Sequence, residues 1–365
     1  MQTPKKGGQP QPCDTQPWRA NANPSVEQRL LPSRWWRQSI SNIASLAPIH
    51  AFHHPVLDAS GLHVDIKRED LLCPFLGGNK LYKLHFHLQR ALAQRAHTLA
   101  TFGGAYSNHI YALARVGYEL GIKTVGIIRG ERPPVLSPTL DDAQALGMQL
   151  RFVAREAYRD KQSMAARVQW GLTIRGVYTI PEGGGDMRGA LGMAEYWRCV
   201  QLTEPSYDAV VIAAGTGASL AGIMAASHSP CSAHGILMLK GSAALNQRFC
   251  RHVLAMAHAL RRHFAPDTLP NDTLDGCTLP PMGWQLHTHL HQGGYGPAKG
   301  EAAREIAELS LYTGVPLDPV YTGKMVAGVL ALAQQGTWQR GQRLLLIHSG
   351  GLQGGRCLAA QNEPH

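Results

Sequence analysis

Apolar residues recur along the chain in two alternating spacings. A helix is predicted to begin near Lys80, because four leucines follow at intervals of three or four residues. These are Leu81, Leu84, Leu88 and Leu92. From about residue 45 onward, such helical segments alternate with short runs rich in β-branched residues. The alternation predicts an α/β fold with mainly parallel sheets flanked by helices.

Several further segments have strand or helix patterns. Strands are predicted at 98–102, 123–128, 150–154, 177–180, 209–213, 236–239 and 344–347. Helices are predicted from 107, over 138–146 and 188–201, from 219, over 244–263 and 298–312, and after 323. Two successive series of this kind predict two domains with a ligand-binding cleft between them. Residues 1–30, rich in Pro, Gln and Asn, are expected to form a disordered tail.

Composition and charge narrow the possible partners. The 365 residues carry a net charge of +10, but Lys and Arg are scattered, so we expect attraction of small anions and no nucleic-acid partner. No stretch approaches the ~18 apolar residues of a membrane span, so no membrane partner is expected. Seven cysteines without a C-x-x-C pair, and a polar N-terminus without a signal peptide, favour a cytoplasmic location.

Lys80 is the first candidate for chemistry. It follows Gly77 and Gly78 at the first turn of a predicted helix, where the positive end of the helix dipole disfavours the ammonium form. A lysine with a lowered pKa is a nucleophilic amine, as Schiff-base chemistry requires. The alternative is an ordinary solvated lysine. Lys83, one turn later, is expected to be exposed or to form an ion pair.

Two further segments combine a strand end with a helix start. Ser107, Asn108 and His109 follow the first strand, and free amides, a hydroxyl and a side-chain amide there suit a carboxylate. The second segment comprises Gly215, Thr216, Gly217, Ala218 and Ser219. It follows an apolar strand and suits one phosphate group, although it matches neither the dinucleotide fingerprint nor a P-loop. An ordinary N-cap and a tight turn are the alternatives.

Three other side chains occupy turns where ligands often bind. Tyr321 can serve as a general acid or base, and Tyr295 can stack on a planar ligand. Ser349 ends an apolar strand at the edge where α/β sites gather. A core tyrosine or an ordinary turn serine is the alternative at each position. Three histidines alternate but lack a carboxylate or cysteine to complete a metal site, so no metal is expected. They are His287, His289 and His291.

Taken together, these segments resemble the 1-aminocyclopropane-1-carboxylate deaminase / D-cysteine desulfhydrase family. The matching stretches are KRED (67–70), GGNKLYKL (77–84), FGGAYSNH (102–109), IPEGGG (180–185), GTGASLAG (215–222), GGYG (293–296), LDPVYTGK (317–324) and IHSGG (347–351). They follow the family's order over roughly residues 45–355. The resemblance implies a two-domain pyridoxal-phosphate enzyme of fold type II, similar to tryptophan synthase β, with parallel twisted sheets flanked by helices.

The resemblance also implies domain bounds and a role for each side chain. A large cofactor domain would comprise 31–85 and 181–365, and a small domain would comprise 86–180. Lys80 would form the Schiff base with pyridoxal 5'-phosphate and move the α-proton. Ser107 and the His109 amide would hold the carboxylate of a small amino-acid substrate.

The remaining implied roles surround the cofactor. Asn108 would hold its ring oxygen and residues 215–219 its phosphate, while Tyr295 would stack near the ring. Tyr321 would lie beside the reacting carbon or leaving group. Thr322 is assigned to the substrate side and Ser349 to the cofactor side. A homodimer is expected from the resemblance alone.

The choice of reaction depends on two positions. Where ring-opening deaminases of the family carry Glu and Leu, this chain has Thr322 and Ser349, and the hydroxyls resemble the desulfhydrase pattern. A hydroxyl cannot keep the pyridine nitrogen protonated as a carboxylate would, so the electron sink is weaker and suits a thiolate leaving group. The expected reaction converts D-cysteine to pyruvate, sulfide and ammonia. Ring opening to 2-oxobutanoate and ammonia, and a non-catalytic protein that binds the cofactor and amino acids, are the alternatives.

Overall fold

The computed structural model describes residues 35–73, 76, 78–204, 206–227, 231–264 and 283–355. The tail predicted over 1–30 lies outside this part of the chain. The strands are β1 (Ile49–Ala51), β2 (His63–Arg68), β3 (Thr98–Gly103), β4 (Lys123–Arg129), β5 (Gln149–Val153), β6 (Val177–Thr179), β7 (Ala209–Ala214), β8 (Ser232–Leu237), β9 (Trp284–His287) and β10 (Arg343–His348).

Helices connect most of these strands. They are α1 (Ile40–Ala44), α2 (Pro55–Ala59), α3 (Lys80–Ala93), α4 (Asn108–Leu120), α5 (Pro138–Ala145), α6 (Arg155–Arg159), α7 (Met164–Gln169), α8 (Met187–Thr203), α9 (Ala218–Ala226), α10 (Ala243–Phe264), α11 (Glu301–Thr313) and α12 (Thr322–Gln334). The predicted helices are confirmed with small shifts of their ends. Helix α5, for example, has Ser137 as its N-cap and Pro138 at its first position.

The strands form two separate sheets. One has six strands in the order β1-β2-β10-β7-β8-β9, and the other has four in the order β5-β4-β3-β6. All neighbours run parallel except β1 and β2, which are antiparallel. The α/β fold with parallel sheets is therefore confirmed. Every strand of the four-stranded sheet lies within 86–180 and every strand of the other lies outside it, although the domain bounds themselves stay a prediction.

Helices α3, α8 and α9 pack closely beneath the six-stranded sheet, and glycines make this approach possible. A Cβ at Gly192 of α8 would lie 2.0 Å from the carbonyl oxygen of Tyr82 in α3. A Cβ at Gly222 of α9 would lie 2.3 Å from the carbonyl oxygen of Ala190. All residues of α9 are buried, as are all residues of β7. This packing connects α3, which begins at Lys80, through α8 and α9 to β7, the strand that leads into residues 215–219.

Candidate functional site

The carboxyl ends of strands from both sheets border one cavity of about 340 Å³. Strands β7 and β10 bring Gly215 and Ser349 to it from the six-stranded sheet. Strand β3 brings the Ser107 turn from the other sheet. Of the residues proposed from the sequence, those that line the cavity are Lys80, Ser107, His109, Gly215, Thr216, Gly217, Ser219, Tyr295, Tyr321 and Ser349.

Lys80 is the first residue of α3 and lies where two sequence segments approach closely. Gly78 has φ +102°, and a Cβ there would lie 2.0 Å from the carbonyl oxygen of Ser349, so only glycine permits this approach. The Lys80 Nζ donates a hydrogen bond to Asn79 Oδ1 at 2.6 Å. Burial lowers the pKa of Lys80 to about 8, and the Asp318 carboxylate opposes that fall. Near neutral pH, a much larger share of Lys80 than of an ordinary lysine is therefore a neutral, nucleophilic amine.

Residues 215–219, the predicted anion-binding turn, connect β7 to α9. Gly217 has φ +85° and is the N-cap of α9, without a side-chain cap to occupy the first amides of the helix. The Ser219 Oγ accepts a hydrogen bond from Asn79 Nδ2 at 3.0 Å. Asn79 therefore connects the Lys80 amine to this turn through one side chain.

Lys83 is a second lysine of the cavity. The prediction of an exposed or ion-paired side chain is wrong, because Lys83 is 3% exposed and its Nζ donates to Thr216 Oγ1 at 3.2 Å. Burial lowers the pKa of Lys83 well below its usual range, the positive charge of Lys80 lowers it further, and Asp186 opposes both. A phosphate group on the 215–219 turn would supply the anion that this buried amine lacks.

The Ser107 turn presents a hydroxyl and a histidine to the cavity. Ser107 is the N-cap of α4, and its Oγ accepts the Ile110 amide at 3.3 Å. Thr101 Oγ1 donates to the Ile180 carbonyl at 2.9 Å, so it accepts from His109 Nε2, also at 2.9 Å. Burial, Lys83 and Lys80 hold the pKa of His109 well below its usual range. His109 is therefore neutral, and its Nδ1 is a buried acceptor without a partner in the described part of the chain.

The Tyr321 turn is held by a buried carboxylate. Asp318 is 0% exposed and accepts the backbone amides of Val320, Tyr321 and Thr322 at 2.9, 2.8 and 2.7 Å. Burial, followed by Tyr295 and Asp318, raises the pKa of Tyr321 well above its usual range. The phenol of Tyr321 therefore keeps its proton and can donate a hydrogen bond to a ligand.

Three residues proposed from the sequence do not line the cavity. Asn108 is buried and its Oδ1 accepts from Gln353 Nε2 at 2.8 Å. Thr322 is 0% exposed, and its hydroxyl has no hydrogen-bond partner among the described residues. Ala218 lies within the anion-binding turn, where its backbone is the relevant group. The ligand-binding roles of Asn108, Thr322 and Ala218 stay predictions.

Two charged residues of the cavity were missed by the sequence analysis. Arg129 is the last residue of β4. Glu182 lies shortly after the end of β6, directly after Pro181. Both lie at carboxyl ends of parallel strands, the edge where α/β proteins bind ligands, and this position is the signal that points to them. The guanidinium carbon of Arg129 lies 5.6 Å from the ring centroid of Tyr295, and Glu182 Oε2 lies 3.3 Å from Lys161 Nζ.

The alternating histidines do not form a metal site. His287 Nε2 lies 3.1 Å from His234 Nδ1, and the two rings stack. In the described ranges, no group of three or more His, Cys, Asp or Glu residues is placed to hold a metal ion. In the same ranges, no helix is both long and apolar enough to cross a membrane.

Comparisons with known proteins show which family this architecture matches. The sequence matches the family described as pyridoxal-phosphate dependent enzyme over residues 48–350. It is 30% identical over 307 residues to D-cysteine desulfhydrase of Serratia proteamaculans, covering 80% of this chain and 88% of that protein. It is 28% identical over 328 residues to the bifunctional mitochondrial D-cysteine desulfhydrase/1-aminocyclopropane-1-carboxylate deaminase of Arabidopsis thaliana, with coverages of 84% and 76%. A crystal structure of an ACC deaminase homologue superposes with a TM-score of 0.68 at 25% identity, with coverages of 89% and 99%.

The fold and the site define the class of protein. A nucleophilic lysine beside a phosphate-binding turn, between two parallel sheets, is the arrangement of an enzyme that uses an aldehyde phosphate cofactor. The chain belongs to the family of pyridoxal-phosphate dependent enzymes, with fold type II architecture. Its relatives place it with the desulfhydrases and deaminases of that family.

The residues present fit pyridoxal phosphate. Lys80 provides an amine for the aldehyde, and the 215–219 turn and Lys83 provide donors for the phosphate. The buried amine of Lys83 has no carboxylate within 4.0 Å in the described part of the chain, so a phosphate group bound there would be the anion that pairs with it.

Proposed function

We propose that this enzyme removes the β-substituent of a small amino acid, with D-cysteine as the favoured substrate. The observation that carries the proposal is the cavity wall where β10 ends, because Ser349 offers a hydroxyl at the position where the ring-opening deaminases carry Leu, and no unpaired carboxylate lines the described cavity. Among the described lining residues the acid is Glu182, and it is paired with Lys161. A cofactor ring without a carboxylate at its nitrogen is a weaker electron sink, which suits a thiolate leaving group.

The residues of the chain divide the work of the reaction. Bound pyridoxal phosphate supplies the electron withdrawal that makes the α-proton of the amino acid acidic. Lys83 and the first amides of α9 hold the phosphate, and the Ser107 turn holds the substrate carboxylate. The Lys80 amine, with its pKa lowered to about 8, accepts the α-proton.

Tyr321 stabilises the leaving sulfur. Burial raises the pKa of its phenol, so it keeps its proton and can donate a hydrogen bond to the departing sulfur. The Cα–H and Cβ–S bonds break, sulfur leaves with the electron pair, and one water hydrolyses the remaining enamine. One D-cysteine and one water give one pyruvate, one sulfide and one ammonia.

The proposal is tested by assaying sulfide and pyruvate from D-cysteine with the purified, cofactor-loaded enzyme. Lys80→Ala should remove both products and the visible absorption of the bound cofactor. Lys123→Ala is the matched control, because Lys123 is exposed at the start of β4 and lies outside the cavity lining. Release of 2-oxobutanoate from the cyclopropane amino acid, with no pyruvate from D-cysteine, would contradict the proposal.

Ring opening of 1-aminocyclopropane-1-carboxylate is the second candidate function. It is favoured by the bifunctional Arabidopsis relative, whose name combines both activities. The two activities share proton removal at Cα and differ in the bond that breaks next. Measuring both 2-oxo acids with the same enzyme preparation therefore separates them, and release of both would indicate a bifunctional enzyme.

The location and assembly of the enzyme are part of the proposal. We expect a homodimer in the cytoplasm, on the basis of the family resemblance and the absence of C-x-x-C pairs. Its partner is a small amino acid, and we expect no nucleic-acid partner. Light scattering on the purified protein measures the oligomeric state, and a mass of one chain would contradict the dimer.

A further inference from the structure

Arg129 is a cation at the rim of the cavity that the proposed reaction leaves without a role. It ends β4, it is exposed, and its guanidinium lies over the face of Tyr295, with its carbon 5.6 Å from the ring centroid. Among the described residues, no carboxylate lies within 4.0 Å of the Arg129 guanidinium nitrogens. Its charge is therefore available to an anion that enters the cavity.

The other charges of the cavity do not cancel that of Arg129. Lys83 contacts the 215–219 turn through Thr216 at 3.2 Å. Glu182 is the acid of the described lining, and it is paired with Lys161 at 3.3 Å. Neither contact involves Arg129, so its guanidinium can attract an anion at the rim.

Tyr295 connects Arg129 with the Ser107 turn. A Cβ on Gly104 would lie 2.9 Å from the Tyr295 Oη, so the phenol edge borders the turn that is proposed to hold the substrate carboxylate. The face of the same ring lies against the guanidinium. The Arg129 guanidinium and the Ser107 turn therefore border different parts of one tyrosine ring, so a ligand that reaches both carries an anionic group at each end.

We propose that Arg129 binds a second anionic group of the substrate. The substrate class is then a cysteine whose sulfur carries a short chain ending in a carboxylate, such as S-carboxymethylcysteine. This inference rests on the proposed β-elimination and extends it. The Cα–H and Cβ–S bonds break, the substituted thiolate leaves with the electron pair and takes up a proton, and water releases pyruvate and ammonia. The other product from S-carboxymethylcysteine is mercaptoacetate.

The first test measures binding without turnover. The cofactor-loaded enzyme is titrated calorimetrically with adipate and with its monoamide, adipamate, at constant ionic strength. Adipate, whose carboxylates are separated by as many chain atoms as those of S-carboxymethylcysteine, should bind about tenfold more tightly than adipamate, the ratio expected for one added charge-assisted hydrogen bond at a partly exposed site. Arg129→Gln should reduce this ratio to about twofold or less. Equal affinities in the unaltered enzyme, or an unchanged ratio in Arg129→Gln, would overturn the inference.

Arg132→Gln is the matched control for this test. Arg132 is also exposed just after β4, and its guanidinium carbon lies 5.5 Å from the Phe152 ring centroid, but it does not line the cavity. The control removes the same charge from the same region, so it should keep the preference for adipate over adipamate. Loss of the preference in both variants would show a general field effect and would overturn the assignment to Arg129.

The second test measures turnover with matched substrates. S-carboxymethylcysteine should exceed S-carbamoylmethylcysteine in kcat/KM by about tenfold, and Arg129→Gln should remove the difference through KM. The D and L forms are assayed in parallel. If no cysteine derivative is converted, the proposed function fails while the adipate titration still decides the inference. If both derivatives are converted equally, the inference fails while the proposed function stands.

Discussion

The individual lysines of the site differ in how far local sequence predicts them. Two glycines and a helix start indicated Lys80, because those features act on the residue they precede. Lys83 lies one turn further on a helix with no local mark of burial. Its environment comes from other segments, since a Cβ on Gly184 would lie 3.3 Å from the Lys83 Cβ and one on Gly189 would lie 3.5 Å from its Cε. The spacing of apolar residues in α3 does not predict tertiary packing of this kind.

Lys80 gives the cofactor-free protein a predictable pH dependence. Its pKa is lowered to about 8, so the neutral amine that attacks an aldehyde increases as pH rises through 8 and levels off above it. The rate at which cofactor-free protein recombines with pyridoxal phosphate, followed by absorption, should show this midpoint. A rate that continues to rise toward the ordinary lysine pKa of 10.5 would contradict the assignment.

Lys83→Met should weaken phosphate binding selectively. The substitution keeps an apolar stem of similar length and removes the amine that faces Thr216, so the affinity for pyridoxal phosphate should fall by about tenfold or more. The affinity for pyridoxal, which lacks the phosphate, should change little. The ratio of the two dissociation constants, measured by equilibrium absorption titration, checks this. Equal losses for both ligands would indicate a packing defect instead.

At the scale of elements, the regular helices were predictable from the sequence, whereas strand β2 was not. Helices α3, α4 and α5 begin where leucine spacing and N-caps place them. Strand β2 reads His63–Arg68 and contains charged residues that local patterns assign to the surface. The fold buries them because Lys67 Nζ donates to the Ala47 carbonyl at 2.8 Å and Arg68 forms two bonds to Asp70. These partners lie outside the strand, so the pattern of residues within the strand cannot predict them.

Gly192→Ala should weaken the contact between α3 and α8. A Cβ there would lie 2.0 Å from a backbone oxygen, which cannot move as a flexible side chain would. We expect a loss of about 1–3 kcal/mol in the free energy of unfolding and a reduced cofactor affinity, because α3 carries Lys80. Denaturant unfolding and cofactor titration measure the two effects. Gly283→Ala is the control, since its Cβ would make an ordinary contact at 3.4 Å, and an equal loss there would contradict the prediction.

At the scale of the whole molecule, the alternation of strands and helices predicted the two sheets but not how their edges meet. The order β2-β10-β7 places strands far apart in sequence side by side. Ser349 therefore joins Lys80 only through long-range pairing, which no local pattern encodes. The resemblance of ordered motifs supplied that juxtaposition. It could not supply Arg129 or Glu182, because neither was part of a recognised role.

Acid should destabilise the folded chain through a pair of buried histidines. His234 lies between Ser232 Oγ and His287 Nε2, each 3.1 Å away, with the Trp338 ring beside it. Burial, and then His287, lowers the pKa of His234 to about 4, while in the unfolded chain it regains its ordinary value of 6.5. Below pH 6.5 the unfolded state therefore binds more protons than the folded state. The contribution of His234 to the free energy of unfolding is intact above pH 6.5 and is lost as pH falls toward 4.

The expected slope for one such group is about 1.4 kcal/mol per pH unit. His234→Gln should flatten the dependence of unfolding free energy on pH between 6.5 and 4, as measured by urea titrations at several pH values. His63→Gln serves as the control, since His63 is exposed at the start of β2. An unchanged slope in His234→Gln would contradict the assignment.

The cavity wall that joins two separate sheets has a mechanical consequence. Lys80 and the 215–219 turn are attached to one sheet, and Ser107 and Arg129 to the other. An amino acid that contacts both sides bridges the two sheets, so its affinity depends on the distance between their edges. Substrates of different length then favour different widths of the cleft, so the distance between the two sheets limits the length of the ligand.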